Sequence, residues 1–133
     1  MLAVRQFALL VHEYAEALAF YVGILGFELV EDTDLGNGKR WVRVRAGTDL
    51  LLARAVTDEQ RARVGDQTGG RVFLFVDTDD FARDHARLVA AGVKFLSPPR
   101  VESYGTVAVF LDLYGNKIDL VSRGDDHGWR RLT

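Results

Sequence analysis

Asp119 is the residue whose position asks most of its neighbours. It sits in Lys117-Ile118-Asp119-Leu120, where polar and apolar residues alternate as on a strand with one buried face. A carboxylate there lies on a wet face or is held by a partner. Gln6 and Arg71, in two other strand-like runs, offer an amide and a guanidinium. Trp41 alternates with Arg43 on one run, Phe73 with Phe75 on another, and Tyr104 opens the segment that leads to Asp119. Together they could line a small-ligand site. Each also has an ordinary use: Gln6 as a sheet amide, Phe73 and Phe75 as core, Trp41 and Arg43 as edge packing, Tyr104 as a turn-flanking aromatic.

Other chemistries lack their residues. With no Cys, disulfides, thiolate metal sites and a Cys nucleophile are excluded. The three His are scattered: His12 in a turn, His85 on a helix, His127 in the C-terminal tail. Gly36-Asn37-Gly38 and Gly69-Gly70 lack the Lys-Ser/Thr of a phosphate loop, and no Ser stands in a nucleophile elbow. A formal net charge of −2 gives no case for binding nucleic acid. No apolar run approaches a membrane span, and the N-terminus lacks a secretory pattern. With 48% hydrophobic and 27% charged residues, the chain of 133 reads as one soluble globular domain, expected in the reducing cytoplasm.

The elements that must position these residues follow in order. Val4–Val11 reads as a buried strand, with Phe7, Leu9 and Val11 on one face and Gln6, Ala8 and Leu10 on the other. Helical spacing takes over from Glu13 to Leu25, and Gly26 caps it. Phe27–Glu31, Arg40–Arg45 and Thr48–Arg54 are strands, with Asp32–Lys39 as a polar hairpin loop. Thr57–Val64 is a short charged helix, and Gly65–Gly70 is a break in composition. The order then repeats: strand Arg71–Val76, a Thr78-Asp79-Asp80 cap, helix Phe81–Ala91, strand Val93–Leu96, a loop through Pro98-Pro99, and two strands around the Asp112-Leu113-Tyr114-Gly115-Asn116 turn. Residues 123–133 are a polar tail with Trp129 and Arg130-Arg131, suited to docking on a partner or to mobility.

The repeat can be put in register. Val11 corresponds to Val76, 65 residues on, and Gly26 to Gly92, 66 residues on. Gln6 then corresponds to Arg71, and Ala53 to Asp119. Modules at about 4–56 and 70–122 therefore predict an α+β fold: two βαβββ units forming a curved sheet, with helices on the outer face and a cup on the other. Gln6, Arg71, Phe73, Phe75 and Asp119 would point into the cup.

The paired halves, the Phe20-Tyr21…Leu25-Gly26-Phe27 segment and the Asp112–Asn116 turn resemble the vicinal oxygen chelate superfamily. It contains glyoxalase I, extradiol dioxygenases, fosfomycin-resistance enzymes and bleomycin-binding proteins. The resemblance implies a homodimer and places the metal-ligand positions of metal-dependent members on Gln6, Ala53, Arg71 and Asp119. Gln6 and Asp119 are acceptable ligands; Ala53 is not, and Arg71 would repel the ion. The expectation is that no metal binds, that an Arg71–Asp119 ion pair takes its place with Gln6 beside it, and that the cup holds a small organic ligand. The alternative implied by the resemblance is a metal-dependent lyase, isomerase or dioxygenase in which Gln6 and Asp119 hold a divalent ion. A third reading is metal-free acid–base catalysis with Asp119 as proton acceptor, although a pairing Arg would make it a weaker base.

Overall fold

The computed structural model describes residues 1–122; the tail, with His127, Trp129 and Arg130-Arg131, lies outside the described residues. The chain divides into two compact units between Gln67 and Thr68.

In the first unit, β1 (Gln6–Val11), β2 (Glu28–Gly36), β3 (Lys39–Ala46) and β4 (Thr48–Arg54) form a sheet of order β1-β4-β3-β2. β1 runs parallel to β4, and the other neighbours are antiparallel. Strict alternation buries Leu9, Val11, Val42, Val44, Leu50 and Leu52, and the adjoining helical segment contributes Tyr14, Ala17, Phe20 and Tyr21 to the core. Phe7, expected with Leu9 and Val11, is 38% exposed. The helix expected over Glu13–Leu25 is divided: α1 (Tyr14–Leu18) continues as a π-helical stretch, Ala19–Ile24. Gly26 leaves it at a φ of 82°, and Phe27 N donates to Tyr21 O. β2 extends through most of the expected Asp32–Lys39 loop. Its turn shrinks to Gly36-Asn37-Gly38, because Asp32–Asp34 pair with Arg40–Val42 across the hairpin. α2 (Asp58–Arg63) is capped by Thr57, whose side chain accepts from Gln60 N. Gln67 then uses both ends of its amide on the edge strand, accepting from Leu10 N and donating to Ala8 O.

The second unit has the same topology, with order β5-β8-β7-β6: β5 (Val72–Thr78), β6 (Arg100–Glu102), β7 (Gly105–Leu111) and β8 (Lys117–Ser122). α3 (Phe81–Ala90) is capped by Asp80, which accepts from Arg83 N. His85 on α3 packs between Phe81 and Phe95, and Phe95 meets Phe110, so α3 lies on the side of Phe110, Ile118 and Leu120. Val93–Leu96 is not a strand. It makes one bridge, Phe95 to Phe110, before Pro98-Pro99 interrupts the edge, since proline has no N–H for the ladder. The outer strand resumes as β6, in what the sequence suggested was loop. Gly105 is required where β7 begins: a Cβ there would stand 2.4 Å from the Ser122 carbonyl oxygen.

The Asp112–Asn116 turn is built as its residue types demand. Asp112 Oδ1 accepts from Tyr114 N and Asn116 N, and Asn116 Nδ2 donates to Asp112 Oδ2. Gly115 takes a φ of 95°. The turn thereby fixes the first residue of β8 and, two residues on, Asp119.

Candidate functional site

Sheet register places Asp119 between Phe75 on β5 and Val109 on β7, on the face opposite Ile118 and Leu120. Lys117 shares that face by alternation. Asp119 is 9% exposed, and its Oδ1 is buried with no hydrogen-bond donor. Burial raises its pKa above the usual carboxylate value, partly countered by the positive charge of Arg100. A buried acceptor left unsatisfied costs about 1–3 kcal/mol, and more when it is charged.

The expected guanidinium partner is not there. Among the described residues no ion pair joins Arg71 to Asp119. Arg71 is exposed just before β5, where its carbonyl accepts from Thr68 Oγ1. The register explains the difference. A β-bulge between Val72 and Leu74 puts Val72 opposite Lys117, so alternation counted back from Phe75 does not carry through to Arg71. The cation that acts on Asp119 is Arg100, on β6. Arg100 also pairs with Glu102 at 2.9 Å, which raises its own pKa.

Arg71, Phe75, Val109 and Lys117 line a shallow depression of about 760 Å³ in the second unit. Phe75 is 67% exposed. Phe73 lies half-buried at the bulge, and Tyr104 half-buried in the β6–β7 turn near Arg100.

The first unit treats its own polar face differently. Gln6 pairs in register with Asp49, and Asp49 with Arg45. Asp49 is buried yet fully engaged: Arg45 Nε at 2.6 Å and Arg43 Nη1 at 2.5 Å donate to it, and these guanidiniums, Arg45 first, hold its pKa below the usual carboxylate value. Arg43 also reaches Glu31 at 2.9 Å. Arg43, a candidate ligand residue by sequence, is therefore occupied by two carboxylates. Gln6 keeps its role as a candidate: its Oε1 is buried without a donor. Trp41 lines a groove of about 610 Å³ together with Leu10, Leu51, Ala53 and Arg54.

The four positions implied for a metal do not form a donor set. Ala53 offers no ligand atom, Arg71 is a cation, and only Gln6 and Asp119 carry suitable oxygens. Among the described residues no three His, Cys, Asp or Glu side chains gather. The site residues that sequence alone did not single out are Arg100, Asp49 and Arg54. Arg100 had no periodic signal, following two prolines in a three-residue strand. Asp49 is the second residue of its strand, next to the Ala46-Gly47 turn, where a carboxylate reads as a turn residue.

A family profile described as the Glyoxalase/Bleomycin resistance protein/Dioxygenase superfamily matches residues 3–120, and the chain belongs to that superfamily. An uncharacterized protein of Shewanella frigidimarina (strain NCIMB 400) is 53% identical over 123 residues, covering 89% of this chain and 91% of that one. Among solved structures, UcmS2 is similar with a TM-score of 0.78 at 27% identity, covering 91% of this chain and 98% of its own. TnmS3, an antibiotic binding protein from Streptomyces sp. CB03234, has a TM-score of 0.73 at 31% identity, covering 92% and 96%. Among the described residues no helix is long and apolar enough to cross a membrane.

Proposed function

We propose that this protein binds a small organic ligand without a metal ion, with Asp119 as the polar anchor and Phe75 as an apolar contact. The observation that carries the reading is the buried Asp119 oxygen without a donor. Folding leaves that acceptor unpaired, and a ligand N–H or O–H would satisfy it. The reading is supported by the exposed ring of Phe75 beside it, by the unsuitable donor set at Ala53 and Arg71, and by similarity to an antibiotic binding protein. A homodimer is proposed from superfamily membership, and a cytoplasmic setting from the absence of Cys.

The test is a ligand-observed NMR screen of bleomycin and a set of phenols, anilines and aryl amides, followed by calorimetry. Binding at one ligand per chain without turnover, lost in Asp119→Ala while the fold persists, is the expected result. Stoichiometric tight binding of nickel, zinc or manganese that Asp119→Ala abolishes would overturn it. So would metal-dependent turnover of the methylglyoxal–glutathione adduct.

A further inference from the structure

The Gly36-Asn37-Gly38 turn plays no part in the Asp119 reading. Gly36 pairs in register with Lys39, so Asn37 and Gly38 are the two central residues of a tight hairpin turn. Their φ angles are 54° and 78°, positive at both positions as a type I′ turn requires. Among the described residues Asn37 is the one residue other than glycine with a positive φ. The ordinary use of Asn-Gly is to close such a hairpin. The same pair also places a nucleophile beside an amide: the Gly38 nitrogen can close a five-membered ring on Asn37 Cγ, and Gly38 has no side chain to obstruct it. Asn37 and Gly38 are both exposed, and Gly38 N makes no hydrogen bond among the described residues. A cation stands against this backbone as well: a Cβ built on Gly38 would lie 3.7 Å from Arg54 Nη2.

We infer that Asn37 is a site of spontaneous covalent modification, converting through a succinimide to isoaspartate and aspartate. Solvent hydroxide removes the Gly38 amide proton, and the nitrogen attacks Asn37 Cγ. The N–Cγ bond forms, the Cγ–Nδ2 bond breaks, and ammonia leaves with a proton from water, which restores the hydroxide. Water then opens the ring at either carbonyl. Opening at Cγ gives aspartate, and opening at the main-chain carbonyl gives isoaspartate. One water is consumed and one ammonia released, with no change of oxidation state. Arg54 offsets the negative charge that develops on the attacked carbonyl oxygen. The chain's other asparagine is its internal control. Asn116 is 4% exposed, its Nδ2 donates to Asp112 Oδ2 at 2.9 Å, and it precedes Lys117 rather than a glycine. Isoaspartate adds one atom to the main chain of a two-residue turn and places a carboxylate before Lys39. The pairing of Asp32–Asp34 with Arg40–Val42 depends on that turn, so the modified hairpin is weakened.

The test incubates the folded full chain at neutral and mildly alkaline pH for several weeks. Peptide mapping by mass spectrometry reads the gain of one dalton, and an isoaspartate-specific methyltransferase with S-adenosylmethionine counts the isoaspartyl product. Asn37 is expected to convert progressively, faster as the pH rises, with Asn116 unchanged in the same samples. Asn37→Gly keeps the positive φ and should abolish the signal while the melting temperature is retained. Arg54→Gln should slow conversion by a few-fold. The isoaspartyl fraction, separated by anion exchange, should melt below the fresh chain. A folded chain that keeps Asn37 intact while the urea-unfolded chain converts it would overturn the inference, because the hairpin would then shield the amide. Equal conversion of Asn37 and Asn116 in the folded chain would overturn it too. An isoaspartyl fraction that melts with the fresh chain would overturn the weakening of the hairpin.

Discussion

Each unit buries one carboxylate on its fourth strand, Asp49 on β4 and Asp119 on β8, and treats it in the opposite way. Asp49 is wrapped by Arg43 and Arg45, and its pKa falls. Asp119 has an oxygen with no donor, and its pKa rises. The topology is the same in both, so the fold did not impose the difference. Equivalent rows carry Leu10 and Ala53 in the first unit, and Phe75 and Asp119 in the second. The first unit thus has a polar end whose carboxylate is satisfied and an apolar end, whereas the second places its carboxylate in the row that is apolar in the first. A satisfied buried carboxylate contributes to stability, whereas the unsatisfied one is the acceptor on which the proposed ligand reading rests.

The sharpest way to break this contrast is to remove each carboxylate in turn. Asp49→Ala leaves the half-buried Arg43 and the exposed Arg45 guanidiniums without their shared acceptor. Thermal unfolding is expected to fall by roughly 10 °C, the larger of the two effects. Asp119→Asn removes a buried charge that Arg100 offsets only in part. Its melting temperature at neutral pH is expected to rise, by roughly 5 °C, while ligand affinity falls. Two losses of similar size in calorimetric scans would mean that both carboxylates are structural, and the functional reading of Asp119 would fail.

Much of this contrast was legible in advance and part was not, for physical reasons. Thr48–Arg54 could be read as a strand because its apolar residues form one short run between a turn and a charged residue. The Asp112–Asn116 turn could be read because each residue type has one local hydrogen-bonding use. The face of Asp119, opposite Ile118 and Leu120, followed from alternation. The partner of Asp119 did not, because a bulge between Val72 and Leu74 shifts the count by one residue and takes Arg71 away. Arg100 was hidden because β6 has three residues, too few for a period. Arg43 was assigned to the ligand from its face alone. The two carboxylates that occupy it, Glu31 and Asp49, come from neighbouring strands whose registers the sequence does not fix.

The smallest effect is the most specific, because it depends on sign alone. The Asp49 pKa is depressed from the ordinary 3.8, so its stabilisation is present above that pH and is lost as the pH falls through the folded-state value. The Asp119 pKa is raised from 3.8, so its relative stabilisation is present below that pH and is lost as the pH rises through the higher folded-state value. Urea unfolding of wild type, Asp49→Asn and Asp119→Asn across the acid range should therefore give difference curves of opposite slope. The advantage of wild type over Asp49→Asn shrinks on acidification. The advantage of Asp119→Asn over wild type appears only as the pH climbs past 3.8, and levels off above the raised value. A flat Asp119 curve would mean that the buried oxygen has found a donor in solution, and the acceptor offered to a ligand would already be occupied. Repeating the Asp119 curve with a saturating ligand from the NMR screen separates the cases: a bound donor should lower the Asp119 pKa and bring its slope toward that of Asp49.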